Sequence, residues 1–217
     1  MVNFVNDYWR MRLETLGDRL EKNNFQVAIV PSAIEAANYI LVKLVPELMP
    51  NSVAYGGSMT LASTGILDKL AALEGIELIP LKPSGISHEE QMKLKRRSLL
   101  VDLYLTGTNA VTEDGRLVNL DRIGNRVAAL TFGPKRVLVV VGRNKIVPDL
   151  DSAMHRIKDY AAPANAMRLN CKTPCVKTAE CADCNSPGRI CNTWTITEKS
   201  FPKGRVTVIL VNDELGL

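Results

Sequence analysis

Aromatic side chains are scarce in this chain of 217 residues. Phe, Trp and Tyr together make up 5% of it, and there are only two histidines. A core without aromatics must be aliphatic. Runs of Val and Ile separated by amphipathic segments suit a parallel sheet covered by helices on both faces. His88 falls in the first turn of a helix, and His155 flanks an apolar helical stripe as an ordinary half-buried residue. Neither has a visible partner in the sequence for nucleophilic catalysis of the Ser–His or Cys–His kind. No apolar run approaches the roughly 18 residues of a membrane helix. The N-terminus has neither the basic start nor the apolar core of a secretory signal, so the expected location is the cytoplasm.

The net charge of +4 is too small and too scattered to imply a nucleic-acid partner. The cluster from Lys93 to Arg97 reads as a solvated helix face. No P-loop and no G-x-G-x-x-G occurs, so no nicotinamide or flavin fingerprint is present. There is no internal repeat and no low-complexity linker. The one composition shift is at Asn170. The expectation is a single α/β domain over 1–217, interrupted by a cysteine-rich excursion at 170–192.

Periodicity places the elements. Residues 4–22 read as a helix with Phe4, Tyr8, Met11, Leu16 and Leu20 near helical spacing. A strand at 25–30 precedes a helix capped by Ser32, with Glu35 completing a capping-box pattern, that runs to about Pro46. Strands at 52–55, 76–80 and 100–106 alternate with helices, one broken at Gly65 and one opened by the capping box Ser87–Glu90. Residues 110–112 and 117–119, split by Asp114-Gly115, read as a short β-hairpin projecting at the C-terminal edge of the sheet. A short helix at 123–130, an apolar strand at 136–141, a helical stripe at 150–161 and strands at 193–197 and 205–211 follow.

The richest segment runs from Thr106 to Arg126. A buried strand enters a stretch dense in Asn, Asp, Arg and Gly, where an α/β protein binds ligands beyond the carboxyl ends of its strands. Asn109, Asp121, Asn125 and Arg126 are candidate ligand-binding residues there. Gly56-Gly57-Ser58-Met59-Thr60 lies between a strand and a helix. Its glycines admit a ligand to the backbone, and Ser58 and Thr60 add hydroxyls. Lys145, after another strand, converges on the same crevice. An anionic small molecule, a carboxylate or a phosphate, fits this set. Arg126 supplies a planar fork for it; the alternative is that Asp121 and Arg126 brace the loop.

All five cysteines lie in one stretch, Cys171-x3-Cys175-x5-Cys181-x2-Cys184-x6-Cys191. An odd, tight set without a secretory context argues against a disulfide framework. Short thiolate spacing suits a soft metal, as an iron–sulfur cluster or as zinc. Cys171, Cys175, Cys181 and Cys184 are the expected ligands, with Cys191 as an alternative fourth. The spacing matches neither a ferredoxin run nor a zinc ribbon, and free or partly paired thiols are the other reading.

The combination resembles the LUD (lactate utilisation) domain family. The resemblance rests on the 56–60 motif, on the 106–127 motif, and on Gly133-Pro134 followed by 139–147, and it spans most of residues 5–165. The tail resembles a cysteine-bearing extension of short family members. The resemblance implies the fold shared by ribose-5-phosphate isomerase, glucosamine-6-phosphate deaminase and the CoA transferases. It implies a link to bacterial oxidation of lactate to pyruvate beside iron–sulfur oxidoreductase partners, as a redox-associated subunit. A free-standing transferase or isomerase acting on a CoA ester or phosphorylated metabolite, and a non-catalytic metabolite-binding module, are the alternatives. The 106–127 motif is also similar to that of the methylthioribose-1-phosphate isomerases, but Asn109 stands where those enzymes have a catalytic aspartate. An amide is no general base at neutral pH, so that isomerase mechanism is not expected.

Overall fold

The computed structural model describes residues 4–217; residues 1–3, where the segment read for a leader begins, lie outside the described residues. From the N-terminus, α1 (Phe4–Lys22) leads to β1 (Gln26–Val30), then α2 (Ala33–Tyr39) and α3 (Val45–Leu48) to β2 (Ser52–Tyr55). Next, α4 (Met59–Thr64) and α5 (Ile66–Ala71) precede β3 (Glu77–Ile79), and α6 (His88–Arg97) precedes β4 (Leu103–Gly107). The strands β5 (Ala110–Thr112) and β6 (Leu117–Asp121), helix α7 (Asn125–Thr131), β7 (Arg136–Gly142) and β8 (Ile146–Val147) follow. Helices α8 (Leu150–His155), α9 (Ala162–Arg168) and α10 (Cys175–Thr178) lead to β9 (Thr193–Thr197) and β10 (Val206–Val211).

Six strands form a wholly parallel sheet in the order β1-β10-β7-β4-β2-β3. Helices cover both faces, giving the expected three-layer α/β fold. Alternation along the strands divides the core in two. Tyr104, Val137, Val139, Val141, Val206, Val208 and Leu210 pack toward Leu13, Leu16 and Leu20 of α1 and Leu130 of α7. Leu103, Leu105, Leu138, Val140, Ile209 and Val211 face the other way, onto α2, α3, α4 and α5. Every residue of β10 is buried, as a central strand of a parallel sheet requires.

The hairpin does not project alone. β5 and β6 are the middle of a second, four-stranded sheet, β8-β5-β6-β9. Val111 and Leu117 on one face join the α1 side of the main core. Ala110, Val118, Leu120 and Val147 on the other pack against Ala153 and Ile157. The reason is the ladder: β6 offers a second edge, and β9 pairs with it antiparallel from Leu117↔Thr197 to Asp121↔Thr193.

Local chemistry explains most boundaries. Gly65 sits at φ +64° between α4 and α5, a conformation that glycine adopts without strain, so the helix breaks there. Two π-helical turns, at 40–44 and 156–161, each run up to the residue before last of a proline, Pro46 and Pro163. Widening the turn accommodates the missing proline N–H, and the second helix continues to Leu48 rather than stopping at Pro46. Ser87 and Glu90 form the full capping box. Ser32 caps α2, but Glu35 accepts from Asn38 instead of closing the box.

Two side-chain expectations change. Phe4, Tyr8 and Met11 are exposed, and the buried stripe of α1 is Leu13, Leu16, Gly17 and Leu20. The first turns pack on themselves instead: the Arg12 guanidinium lies 5.6 Å from the Tyr8 ring and 5.2 Å from the Trp9 ring. His155 is exposed and meets Asp159 one turn on, at 3.4 Å, because the buried stripe of its helix runs through Ala153, Ile157 and Ala161. Among the described residues, no helix is long and apolar enough to cross a membrane.

Candidate functional site

The ends of β2, β4 and β6 converge on one crevice. Its volume is about 160 Å³, and its walls include Gly57, Ser58, Thr108, Asn109, Asp121, Arg122, Arg126, Lys145, Asn165, Arg168 and Ile190. Drug-sized ligands occupy roughly 300–1,000 Å³, so this crevice suits a metabolite of few heavy atoms. Of the residues expected from sequence, Gly57, Ser58, Asn109, Asp121, Arg126 and Lys145 line it. Gly56, Thr60 and Asn125 are not among its lining residues.

The glycines are there because the chain is crowded. A Cβ on Gly107 would lie 2.7 Å from Ser58 Oγ, and one on Gly56 would lie 2.9 Å from Arg126 Cγ and 3.1 Å from Tyr104 OH. The Ser58 hydroxyl in turn accepts from Leu61 N–H and caps α4.

Arg126 gives all five of its guanidinium hydrogens to the fold. Nε donates to Asp121 Oδ1 at 3.1 Å. Nη1 donates to Gly107 O at 3.2 Å and to Asn119 Oδ1 at 2.5 Å. Nη2 donates to Asn109 Oδ1 at 2.9 Å and to Leu120 O at 3.3 Å. The Asp121–Arg126 pair is nearly dry, with side chains 12% and 10% exposed. The other Asp121 oxygen accepts from Gly124 N–H at 2.9 Å. Arg126 therefore ties β4, β6 and the start of α7 together. Two buried polar atoms near it, Tyr104 OH and Asn119 Nδ2, have no hydrogen-bond partner among the described residues. Burial pushes the Tyr104 phenol well above its ordinary range.

Arg126 also orients Asn109. The amide oxygen accepts both from Arg126 and from Leu120 N–H, the latter at 3.0 Å. Both partners are donors, so the oxygen must face them and the NH₂ group is the end left over. Arg156 fixes the same residue from outside, donating to Asn109 O at 2.8 Å.

Lys145 is 5% exposed. Its Nζ lies 2.7 Å from Thr60 Oγ1 and 3.1 Å from Thr108 O. Among the described residues it has no carboxylate within ion-pair distance. Burial, with Arg156 and Arg126 adding repulsion, brings its pKa down to about 7.

A family model for the LUD domain matches residues 13–211. The chain belongs to the LUD domain family. Membership supports a general association with lactate utilisation. Among solved structures, the chain is similar to a DUF162 family protein from Deinococcus radiodurans, at 18% identity and a TM-score of 0.53. That likeness covers 94% of this chain and 98% of the other, and it concerns the fold. No curated protein matches.

Two charged residues of this LUD domain that line the crevice lie outside the set expected from sequence, Arg122 and Arg168. Arg168 donates to Asn165 Oδ1 at 3.0 and 2.8 Å, which aims it from α9. Arg122 makes no ion pair among the described residues. Arg122 sits inside the 106–126 motif and was legible there. Arg168 lay more than forty residues away on an unremarkable helix and gave no signal.

The cysteines of the LUD domain occupy a neighbouring cavity. Cys175, Cys181, Cys184 and Cys191 line it with Pro163, Ala166 and Arg189, while Cys171 is not part of its wall. All five thiols are free and half-buried. Arg189 organises the loop, donating to Cys191 O at 2.9 Å, Cys184 O at 2.5 Å and Asp183 Oδ1 at 2.9 Å. Among the described residues no three His, Cys, Asp or Glu side chains converge as a single-ion site requires. Ile190 lines both this cavity and the crevice.

Proposed function

We propose that this LUD domain takes part in the oxidation of lactate or a related organic acid, as a redox-associated subunit. In that role it binds a small carboxylate or phosphorylated metabolite in the crevice. One observation carries the reading: Arg122 and Arg168 flank a crevice of small-metabolite size whose inner wall presents the Asn109 amide and Lys145. Asn109 Nδ2 then donates to the ligand's oxygens. Arg122 and Arg168 supply planar, charge-matched donors. Arg126 and Asp121 hold the wall in place, with Ser58 and the Gly57 backbone closing the opposite side. The volume argues against enclosing a whole CoA ester.

The test is calorimetric titration of the full chain with lactate, pyruvate and a sugar phosphate. One of these binds, and the Arg122→Ala/Arg168→Ala double variant loses at least about tenfold in affinity, as losing a charge-assisted contact worth ~1.5 kcal/mol implies. The double variant keeps the wild-type melting temperature. A strain lacking the gene loses growth on lactate and regains it with the wild-type chain but not with the double variant. Binding unchanged in the double variant would remove the proposal.

A second reading comes from the shared wall of four thiols. Cys175, Cys181, Cys184 and Cys191 are the ligands it favours for a soft metal centre, with Cys171 as the spare thiol. Their chemistry fits an iron–sulfur cluster or zinc. Binding one ion would be accompanied by rotation of the thiols, since Zn–S bonds are about 2.3 Å. An iron–sulfur centre there would supply one-electron transfer next to the crevice, and iron–sulfur oxidoreductase subunits are the corresponding partners. Anaerobic purification with elemental analysis and a visible spectrum separates iron with sulfide from zinc. Neither metal, with stability unchanged when all five cysteines are replaced by serine, ends this reading.

A further inference from the structure

We infer that Lys145 captures a carbonyl group in the crevice as an imine, so that the ligand class is a 2-oxo carboxylate. This deepens the reading of the crevice as an anion site and rests on it. The argument begins with hydrogen-bond accounting. Thr60 Oγ1 donates its one hydrogen to Leu215 O at 3.1 Å. It can therefore only accept from Lys145. Thr108 O is a carbonyl and also only accepts. Both bonds consume an N–H of Lys145. A neutral amine has two, and its remaining valence is the lone pair. An ammonium would carry a third N–H and a full charge, buried with no carboxylate beside it among the described residues.

The surroundings favour the neutral form. Arg126 and Arg156 act on Lys145 from β6–α7 and from the helix after α8, and burial adds to them. Asp121, the carboxylate that lines the same crevice, is held by Arg126 and Gly124 N–H. Arg122 and Arg168 add further positive charge at the crevice walls. The amine is thus a nucleophile at neutral pH, in the manner of lysines activated by desolvation and neighbouring cations.

The chemistry balances without any redox partner. The Nζ lone pair bonds to the carbonyl carbon, and the carbonyl π pair moves to oxygen. That oxygen leaves as water with one hydrogen of the amine and one proton from solvent. The protonated imine keeps one N–H, for which Thr60 Oγ1 and Thr108 O are both in reach. Its new positive charge would be opposed by Arg126 and Arg156 unless the ligand brought an anion. A carboxylate next to the carbonyl supplies one, and Arg122 or Arg168 receives its far oxygen. This is why a 2-oxo acid fits better than a simple aldehyde or ketone.

The probe is pyruvate. The full chain is incubated with pyruvate and borohydride at neutral pH, then digested and mapped by mass spectrometry. The expected result is a reduced pyruvyl adduct on the peptide containing Lys145. It exceeds that on any surface lysine by about tenfold or more, because an amine of pKa near 10.4 is almost wholly protonated at neutral pH. Lactate, which has a hydroxyl in place of the ketone, gives no adduct but protects Lys145 from pyruvate. Lys145→Met abolishes the adduct; the wild-type peptide map stands even if that variant folds poorly. Calorimetric binding of pyruvate without an adduct at Lys145 would overturn the inference and leave the anion site intact. Absence of both binding and adduct would remove both.

Discussion

Lys145 makes stability depend on pH in a direction opposite to that of a paired lysine. Its folded pKa lies near 7, below the roughly 10.4 of an unfolded chain. Between those values the unfolded state binds more protons, so stability rises with pH across that window. Below about pH 7 both states are protonated, and the cost of the buried charge is borne in full. Urea denaturation at several pH values should show wild type gaining on Lys145→Met by up to about 1.4 kcal/mol per pH unit between pH 7 and 10. A flat difference between the two would place the pKa elsewhere. Arg126 acts otherwise. Arg126→Met removes the guanidinium donor from Asp121 and from the Asn109, Asn119, Gly107 and Leu120 oxygens, and breaking a nearly buried pair costs about 3–5 kcal/mol. Arg126→Lys should recover little of this, because an ammonium cannot reproduce the planar fork. Chemical denaturation of the two variants measures both effects.

At the level of elements, the junction of β4 with the loop before α4 is a tight point. Gly107→Ala places a methyl carbon 2.7 Å from Ser58 Oγ, and that hydroxyl is the cap of α4. Overpacking of this kind costs about 1–3 kcal/mol. Ser58→Gly costs only a few tenths, since glycine is itself tolerated at an N-cap. The double variant Gly107→Ala/Ser58→Gly should therefore be more stable than Gly107→Ala alone. A double-mutant cycle by thermal denaturation gives the coupling, and additive effects would disprove the contact. The elements themselves were largely legible from sequence. Val-rich runs marked β7 and β10, Gly65 marked the break, and Asp114-Gly115 marked the hairpin. Their partners were not. Nothing in residues 193–197 says that they pair with 117–121, because the ladder is made by backbone groups that every residue carries. The exposure of Phe4, Tyr8 and Met11 was hidden for a related reason. Helical spacing reports a common face, not whether a sheet extends beneath it. In the site, the glycine and asparagine motifs were legible as a place, whereas the saturation of Arg126 depends on carbonyls that only the fold brings together.

For the whole molecule, the order of strands sets the order of stability. β10 joins the sheet last in sequence and lies between β1 and β7, so Gln26 faces Thr207 across 181 residues of chain. All six of its residues are buried. The stretch between α9 and β9 contrasts with it. Its regular structure is a single four-residue helix, and the loop is held chiefly by Arg189 and by the Lys158–Asp183 pair at 2.7 Å. Opening energies follow local burial and hydrogen bonding. Native-state hydrogen exchange should therefore find the amides of β4, β7 and β10 exchanging only on global unfolding, and those of 171–192 exchanging through a much cheaper local opening. Loading a thiophilic metal distinguishes the two regions. A ligand that binds only the closed loop raises the cost of opening it by its own binding energy. Protection should rise across 175–191 on metal addition. That of β10 should stay as it was, up to the point where global unfolding also releases the metal. Equal exchange in the loop with and without metal, measured on the same anaerobic preparation, would mean that the thiols do not act as one site. Slow exchange in the metal-free loop would mean instead that Arg189 and the cavity packing suffice to order it.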